Sequence, residues 1–334
     1  MALHNLLTQW FPPAPSFTEN HLSSQKDRVF IVTGGNGGIG FELCKILYST
    51  GASIYMASRS RERAEKAIED IISSSSSTET GTIYFLPLDL NDLESVRRAA
   101  SIFAERESRL DVLWNNAGMG GNRVAVGART AQNLEAMVGI NCVAAQLFTQ
   151  LLVPQLQAGS EPFSPSASAV PSRVIWTSSV LAESGTPAHG IDFDALDEGT
   201  QSRVRNYAVS KFGNWMLGAE FARRHPHDII SVVINPGNLK TKVFDGTSAL
   251  LMCLLNRVLY EVKLGAYTAL YAGLSPEITV EKNGAYIIPW GRIREDKDCA
   301  RKDLIQALTP VEEGGLGYSG RFWDWCEQAA RRTH

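Results

Sequence analysis

The chain reads as an α/β protein built on a doubly wound parallel sheet, and three features predict it. From residue 28 onward, short β-branched or aromatic runs alternate with longer helical patterns. The runs are nearly continuous in apolar residues, as strands covered on both faces are. A glycine-rich turn follows the first run and opens the first helix, the arrangement in which a parallel sheet holds a phosphate at a helix N-terminus.

Taken in order, "RVFIV" at 28–32 is the first strand and 38–50 its helix. "SIYMA" at 53–57 leads to a helix over 60–72, "TIYFL" at 82–86 to 91–107, and "LDVLW" at 110–114 to a helix around 130–157. "RVIWT" at 173–177 precedes 203–224, and "IISVVI" at 229–234 precedes a helical region within 242–272. Two Ser/Pro/Gly-rich stretches, "SSSSST" at 73–78 and "QAGSEPFSPSASAVPS" at 157–172, lack periodicity and are expected as surface loops. The alternation resumes after each, so neither divides the chain. The reading is one Rossmann-type domain over 27–290, with an N-terminal arm at 1–26. A helical extension at 291–334 contains "GRFWDWCEQ".

Bulk properties narrow the class. The 334 residues are 44% hydrophobic and 20% charged with a formal net charge of −3, the balance of a globular protein without the basic surface of a nucleic-acid binder. The five cysteines, at 44, 142, 253, 299 and 326, form no C-x-x-C pair and sit in apolar surroundings, which suits buried thiols in a reducing compartment. The first residues carry no basic and apolar leader before Pro12, Pro13 and Pro15, and the longest apolar run, "SALLMCLLNRVLY" at 248–260, is broken by Asn256 and Arg257. The expectation is a cytoplasmic protein with no integral membrane segment.

"TGGNGGIG" at 33–40 supplies the glycines of a dinucleotide site: Gly35, Gly37 and Gly40 fit one spacing, and Thr33, Gly34, Gly38 and Gly40 fit another. In both, missing side chains let backbone N–H groups and the helix N-terminus approach a pyrophosphate. An NAD site carries an acid near the end of the second strand; here Ser58 and Arg59 stand there instead. The first turn of the next helix holds Arg59, Arg61 and Arg63, the wrong sign for the helix dipole unless an anion lies close. A 2′-phosphate is such an anion, and a guanidinium suits it. NADP(H) is therefore the expected cofactor, against the alternative of a solvated arginine cluster offset by Glu62 and Glu65.

These motifs, with others in the same order, make residues 27–290 resemble the short-chain dehydrogenase/reductase superfamily, in the fungal branch related to retinol dehydrogenases and WW-domain oxidoreductases. "TGGNGGIG" is similar to its cofactor motif, with Ile39 among the glycines. "LDL" places Asp89 and Leu90 at the adenine, and "NNAG" brings Asn116, Ala117 and Gly118 to the adenine-ribose wall. The resemblance makes Asn141 in "GINCVAAQLF", Ser179 in "VIWTSSV", and Tyr207 and Lys211 in "YAVSK" a catalytic set, with Tyr207 and Lys211 also touching the cofactor. Ser178, adjacent to Ser179, competes for the serine role. "NPGNLKT" implies Pro236 and Gly237 beside the nicotinamide and Thr241 on its carboxamide. The 157–172 loop, the 27 residues between Ser179 and Tyr207, and the C-terminal extension depart from the pattern.

Carbonyl reduction explains why these residue types belong together. Negative charge built on oxygen must be stabilised and protonated, and a tyrosine hydroxyl does both once its pKa of about 10 is lowered. An ammonium group one helical turn away is expected to lower it, since i, i+4 spacing puts both side chains on one face. Ser179 would donate a second hydrogen bond to the substrate oxygen. By the resemblance, Lys211 holds the nicotinamide ribose and Asn141 positions a proton-relaying water. Taken singly, each has a plain alternative: a helix-kinking asparagine, a strand-end serine, a chance Tyr/Lys pair.

Other chemistries lack their residues. His225 and His227 in "RRHPHD" show no third ligand, and no G-x-S-x-G, H-E-x-x-H or P-loop occurs, so no metal is expected. The segment 242–265 reads either as a lid over the cofactor, which would give a hydrophobic small-molecule substrate, or as an ordinary amphipathic core helix. An NADP(H)-dependent oxidoreductase, in a fungal natural-product pathway by resemblance, is favoured. A redox-neutral enzyme on the same fold and a non-catalytic NADP-binding protein are the alternatives, and a homo-oligomer stays open.

Overall fold

The computed structural model describes residues 8–120, 124–162, 170–240 and 259–332. Eight strands form one sheet in the order β3-β2-β1-β4-β5-β6-β7-β8. They are β1 Val29–Thr33, β2 Ser53–Ser58, β3 Thr82–Pro87, β4 Val112–Asn115, β5 Ser172–Thr177, β6 Ile229–Ile234, β7 Tyr286–Ile288 and β8 Arg292–Arg294. All neighbours are parallel except β7 and β8, which pair antiparallel. The doubly wound sheet is therefore present as predicted, with its switch point where β1 lies between β2 and β4. Ligands bind at the carboxyl ends of strands at such a point.

The apolar runs have their physical reason in two cores. One face of the sheet packs under α3 Leu93–Ala104, α4 Ala136–Leu151, α7 Arg203–Arg224 and α10 Tyr318–Arg331, and the other under α1 Gly38–Tyr48, α2 Arg61–Ser74 and α8 Val262–Leu274. All residues of β1, β5 and β6 are buried, so no polar face is possible in those strands. Short helices α5 Val153–Ser160, α6 Leu181–Ser184 and α9 Lys302–Leu308 complete the layers.

Three expectations are adjusted. The helix expected over 130–157 begins at Ala136 and bends by 57° between α4 and α5, where Pro154 enters the first turn of α5. The loop expected over 157–172 starts inside α5 and ends at the first residue of β5; residues 163–169 lie outside the described residues. The boundary expected at 290/291 falls within the β7–β8 hairpin, so the last segment contributes an edge strand as well as α9 and α10. The proposed lid, 242–265, lies outside the described residues up to 258.

Among the described residues no single helix is long and apolar enough to cross a membrane; the bent pair α4–α5 passes that test only jointly. Cys44, Cys142, Cys299 and Cys326 are buried free thiols, and Cys253 lies outside the described residues.

Candidate active site

The predicted residues with described positions sit at or beyond the carboxyl ends of the strands or in the helices beside them. At the end of β1 the chain turns through Gly34 into α1. Asn116 Nδ2 donates to the Thr33 carbonyl at 2.8 Å, and Ala117 N–H donates to Thr33 Oγ1 at 2.9 Å, so the turns after β1 and β4 are locked to each other. A Cβ on Gly40 would stand 2.5 Å from the Gly34 carbonyl, which makes α1 pack too closely on the turn for any side chain there. Gly38 has φ +55°, and a Cβ on it would meet nothing within 4 Å. The helix N-terminus thus opens on free space, the shape a pyrophosphate needs.

Beyond β2, the Ser58 hydroxyl is buried with no hydrogen-bond partner among the described residues. Arg59 beside it is exposed and has no side-chain partner among the described residues. Arg61 is engaged, by Glu65 at 3.1 Å and by the Phe85 ring at 4.7 Å. Asp89 Oδ1 accepts the Asn91 amide at 3.0 Å, holding the turn after β3, and Leu90 is buried under it. The open glycine turn and the orphaned hydroxyl fit a dinucleotide.

The candidate acid-base residues converge on the other side of the switch point. Tyr207 and Lys211 lie on α7, with Lys211 Nζ 5.6 Å from the Tyr207 ring centroid. Lys211 is 4% exposed, and its ammonium donates to the Thr177 carbonyl at 2.9 Å. Asn214 Nδ2 donates to the same carbonyl at 2.9 Å. A Cβ on Gly118 would stand 3.1 Å from Lys211 Nζ and 3.3 Å from Asn141 Oδ1, so the glycine keeps that approach clear.

The two adjacent serines part company. Ser178, fully buried, donates to the Lys211 carbonyl at 2.8 Å, whereas the Ser179 hydroxyl acts on the Tyr207 phenol and pulls its pKa down. Asn141 lies in a wide π-turn, Gly139–Val143, inside α4. Its side chain accepts the Met119 amide at 2.7 Å and donates to the Ser210 hydroxyl at 2.9 Å. Ser210 in turn donates to the Tyr207 carbonyl at 2.8 Å. Asn141 therefore braces the loop after β4 against the start of α7.

The electrostatics differ from the expectation that Lys211 lowers the tyrosine. Burial dominates, pushing the Tyr207 phenol up to about 12, and the Ser179 hydrogen bond acts against it. Burial also pulls the Lys211 ammonium down to about 8. Desolvation disfavours both charged forms, and among the described residues no counter-ion offsets it.

Pro236 and Gly237 follow β6, where Gly237 N–H donates to Asn235 Oδ1 at 3.1 Å. Thr241 lies outside the described residues. Among the described residues there is no group of three His, Cys, Asp or Glu able to hold a metal ion. His225 instead bonds to Asp228 at 3.1 Å and stacks on Phe221. Sequence reasoning weighed Ser178 only as a rival for the serine role and missed Ser210 and Asn214; all three hold the backbone around the site through contacts with no local signature. Asn235 was missed too, although it directly precedes the Pro-Gly pair.

Comparisons with known proteins identify the family. The family model for short chain dehydrogenase matches residues 28–190. The chain is 44% identical to the short-chain dehydrogenase/reductase iacJ of Pestalotiopsis fici, over 99% of both chains. It is 39% identical to the short-chain dehydrogenase/reductase bet4 of Neocamarosporium betae, over 98% of this chain and 94% of that one. Among solved structures, an uncharacterised protein from Mycobacterium Paratuberculosis superposes with TM-score 0.66 at 25% identity, covering 94% of this chain and 97% of that one. The chain belongs to the short-chain dehydrogenase/reductase family, oxidoreductases that use a nicotinamide cofactor.

Proposed function

We propose that the protein is an NADP(H)-dependent oxidoreductase that interconverts a carbonyl and an alcohol on a hydrophobic small molecule, with Tyr207 as the general acid/base. The observation that carries this reading is the convergence on Tyr207 of the Ser179 hydroxyl and the buried Lys211 ammonium. At about 12 the phenol rests protonated throughout the neutral range, the form that can donate to a carbonyl oxygen. A bound nicotinamide would supply or accept the hydride.

Each residue then has a task. Tyr207 gives its proton to the oxygen as negative charge builds there. Ser179 donates a second hydrogen bond to the same oxygen. Lys211, ammonium below about pH 8, offsets the charge left on the phenolate and holds the cofactor ribose. Asn141 holds Met119 and Ser210, and so sets the floor under the pair. Preference for NADP(H) is supported by the exposed, unpartnered Arg59 and the orphaned Ser58 hydroxyl at the end of β2, where no carboxylate stands.

A hydrophobic substrate is supported by the wall beside Tyr207. Val124, Ala136 and Met137 are buried together, with Met119, Ala128 and the Tyr207 ring packed on them. A role in a fungal natural-product pathway completes the reading and rests on the likeness to fungal relatives, and a cytoplasmic location is supported by the buried free thiols, which suit a reducing compartment.

The test is a screen of apolar ketones, aldehydes and alcohols that follows NADPH absorbance and product mass together. Tyr207→Phe should lower turnover by about 10²–10⁴-fold while leaving NADPH affinity nearly unchanged. Turnover retained in the variant would remove Tyr207 from the chemistry. Product formed without cofactor consumption would select a redox-neutral reaction instead.

A further inference from the structure

Two parts of the chain outside the repeating pattern, the N-terminal arm and the segment after residue 290, meet at the edge of the site. Gln9 is 3% exposed. Its Oε1 accepts from Asn235 Nδ2 at 2.8 Å, and its Nε2 donates to Glu183 Oε1 at 3.4 Å. Backbone contacts hold the arm on both sides of it: Arg292 donates to the Thr8 carbonyl at 2.7 Å, and the Tyr260 hydroxyl donates to the Trp10 carbonyl at 3.1 Å.

The two partners of Gln9 belong to the two turns that frame the reacting atoms. Asn235 Oδ1 accepts the Gly237 amide, and Gly237 adopts φ +92° with the Trp290 ring 2.6 Å from where a Cβ would stand. Glu183 lies on α6, in the turn that starts at Ser179, where Ala182 N–H donates to the Ser179 carbonyl at 3.0 Å. Glu183 pairs with Arg294 of β8 at 2.6 Å, both side chains almost fully buried, and accepts from the Cys299 thiol at 3.5 Å.

The polarity of this chain of bonds is set at both ends. The Glu183 carboxylate only accepts, so the Gln9 amide nitrogen must face it; Asn235 Oδ1 is taken by Gly237, so its amide nitrogen must face Gln9. A carboxamide satisfies an acceptor on one side and a donor on the other, which neither a carboxylate nor an ammonium does. We propose that Gln9 is a positioning residue. It ties the Asn235–Gly237 turn to the Ser179–Glu183 turn and so fixes the separation between the nicotinamide pocket and the hydroxyl that faces Tyr207. This rests on the function proposed above.

The test uses full-length Gln9→Ala and Gln9→Glu with two probes, NADPH and 2′-phospho-ADP-ribose, which lacks the nicotinamide. Gln9→Ala should weaken NADPH about tenfold, the scale of one buried hydrogen-bonded bridge, while the fragment binds as to wild type. In Gln9→Glu the new carboxylate faces Glu183, with Arg294 and Cys299 as the neighbouring titratable groups. Its NADPH affinity relative to wild type should recover as pH falls from about 8 to about 5, because the protonated acid regains a donor. Both variants should stay folded, with the lower thermal midpoint in Gln9→Glu at neutral pH, where two carboxylates share the buried site. Unchanged NADPH affinity in Gln9→Ala, equal weakening of both probes, or no recovery of Gln9→Glu at low pH would overturn the proposal. Failure of the wild-type protein to bind NADPH would overturn the functional reading itself, and this one with it.

Discussion

Replacing Lys211 with methionine should make the protein inactive and more stable. Methionine keeps most of the aliphatic packing and removes the charge. The distance between an ordinary lysine at 10.5 and about 8 corresponds to about 3 kcal/mol spent on keeping the ammonium charged in the fold. Loss of the bond to the Thr177 carbonyl takes back about 1 kcal/mol. Asn214 still donates to that carbonyl, so nothing buried is orphaned. The net gain is about 2 kcal/mol, or a rise in thermal midpoint of about 2–6 °C. Its pH dependence has a definite sign. Below about 8 the lysine is charged in both folded and unfolded chains, and its full cost is present. Between there and 10.5 the folded chain has released a proton that the unfolded chain keeps, so wild type gains stability with rising pH and the gap closes. Thermal denaturation of both proteins without nucleotide, at about pH 7 and about pH 10, measures it. A variant less stable than wild type at pH 7, or a gap indifferent to pH, would refute the assignment of Lys211 as a desolvated, uncompensated ammonium.

Further expectations follow the same geometry. Gly118→Ala places a methyl 3.1 Å from Lys211 Nζ and 3.3 Å from Asn141 Oδ1, so turnover should fall by at least about tenfold, with little change in melting temperature, in steady-state and thermal assays. Arg59→Ala should erase most of the discrimination between NADPH and NADH in a binding titration; equal affinities for the two cofactors in wild type would end the 2′-phosphate assignment. Arg294→Met strands the Glu183 carboxylate beside Tyr286 and Trp215 and should cost about 3–5 kcal/mol in denaturant unfolding.

The inner long strands were legible because a parallel sheet covered on both faces favours near-continuous apolar runs, and the half-exposed edge strand β3 because of its β-branched and aromatic residues; each run appears within about two residues of its strand. The hairpin β7–β8 was not, since three-residue strands carry too few positions to form a pattern. The glycine turn and the Tyr207–Lys211 pair were legible because their geometry is local: a turn that excludes side chains, and one helical turn between two residues. Choosing between Ser178 and Ser179 needed the fold, because neighbouring residues point to different sides and only packing against α7 says which side holds the phenol. The direction of the Tyr207 and Lys211 shifts also needed it, since desolvation depends on what lies above and below a side chain. Gln9, Glu183, Asn235 and Arg294 leave no trace as a group in the sequence. The sequence by itself determined the sheet, the glycine turn and the pairing of Tyr207 with Lys211 that is proposed for the acid-base role, all encoded in short-range spacing. Only the tertiary structure decided which hydroxyl meets the phenol, how far burial moves its charge, and that the two chain ends bind the site's turns together. Those depend on contacts between residues that the chain keeps far apart.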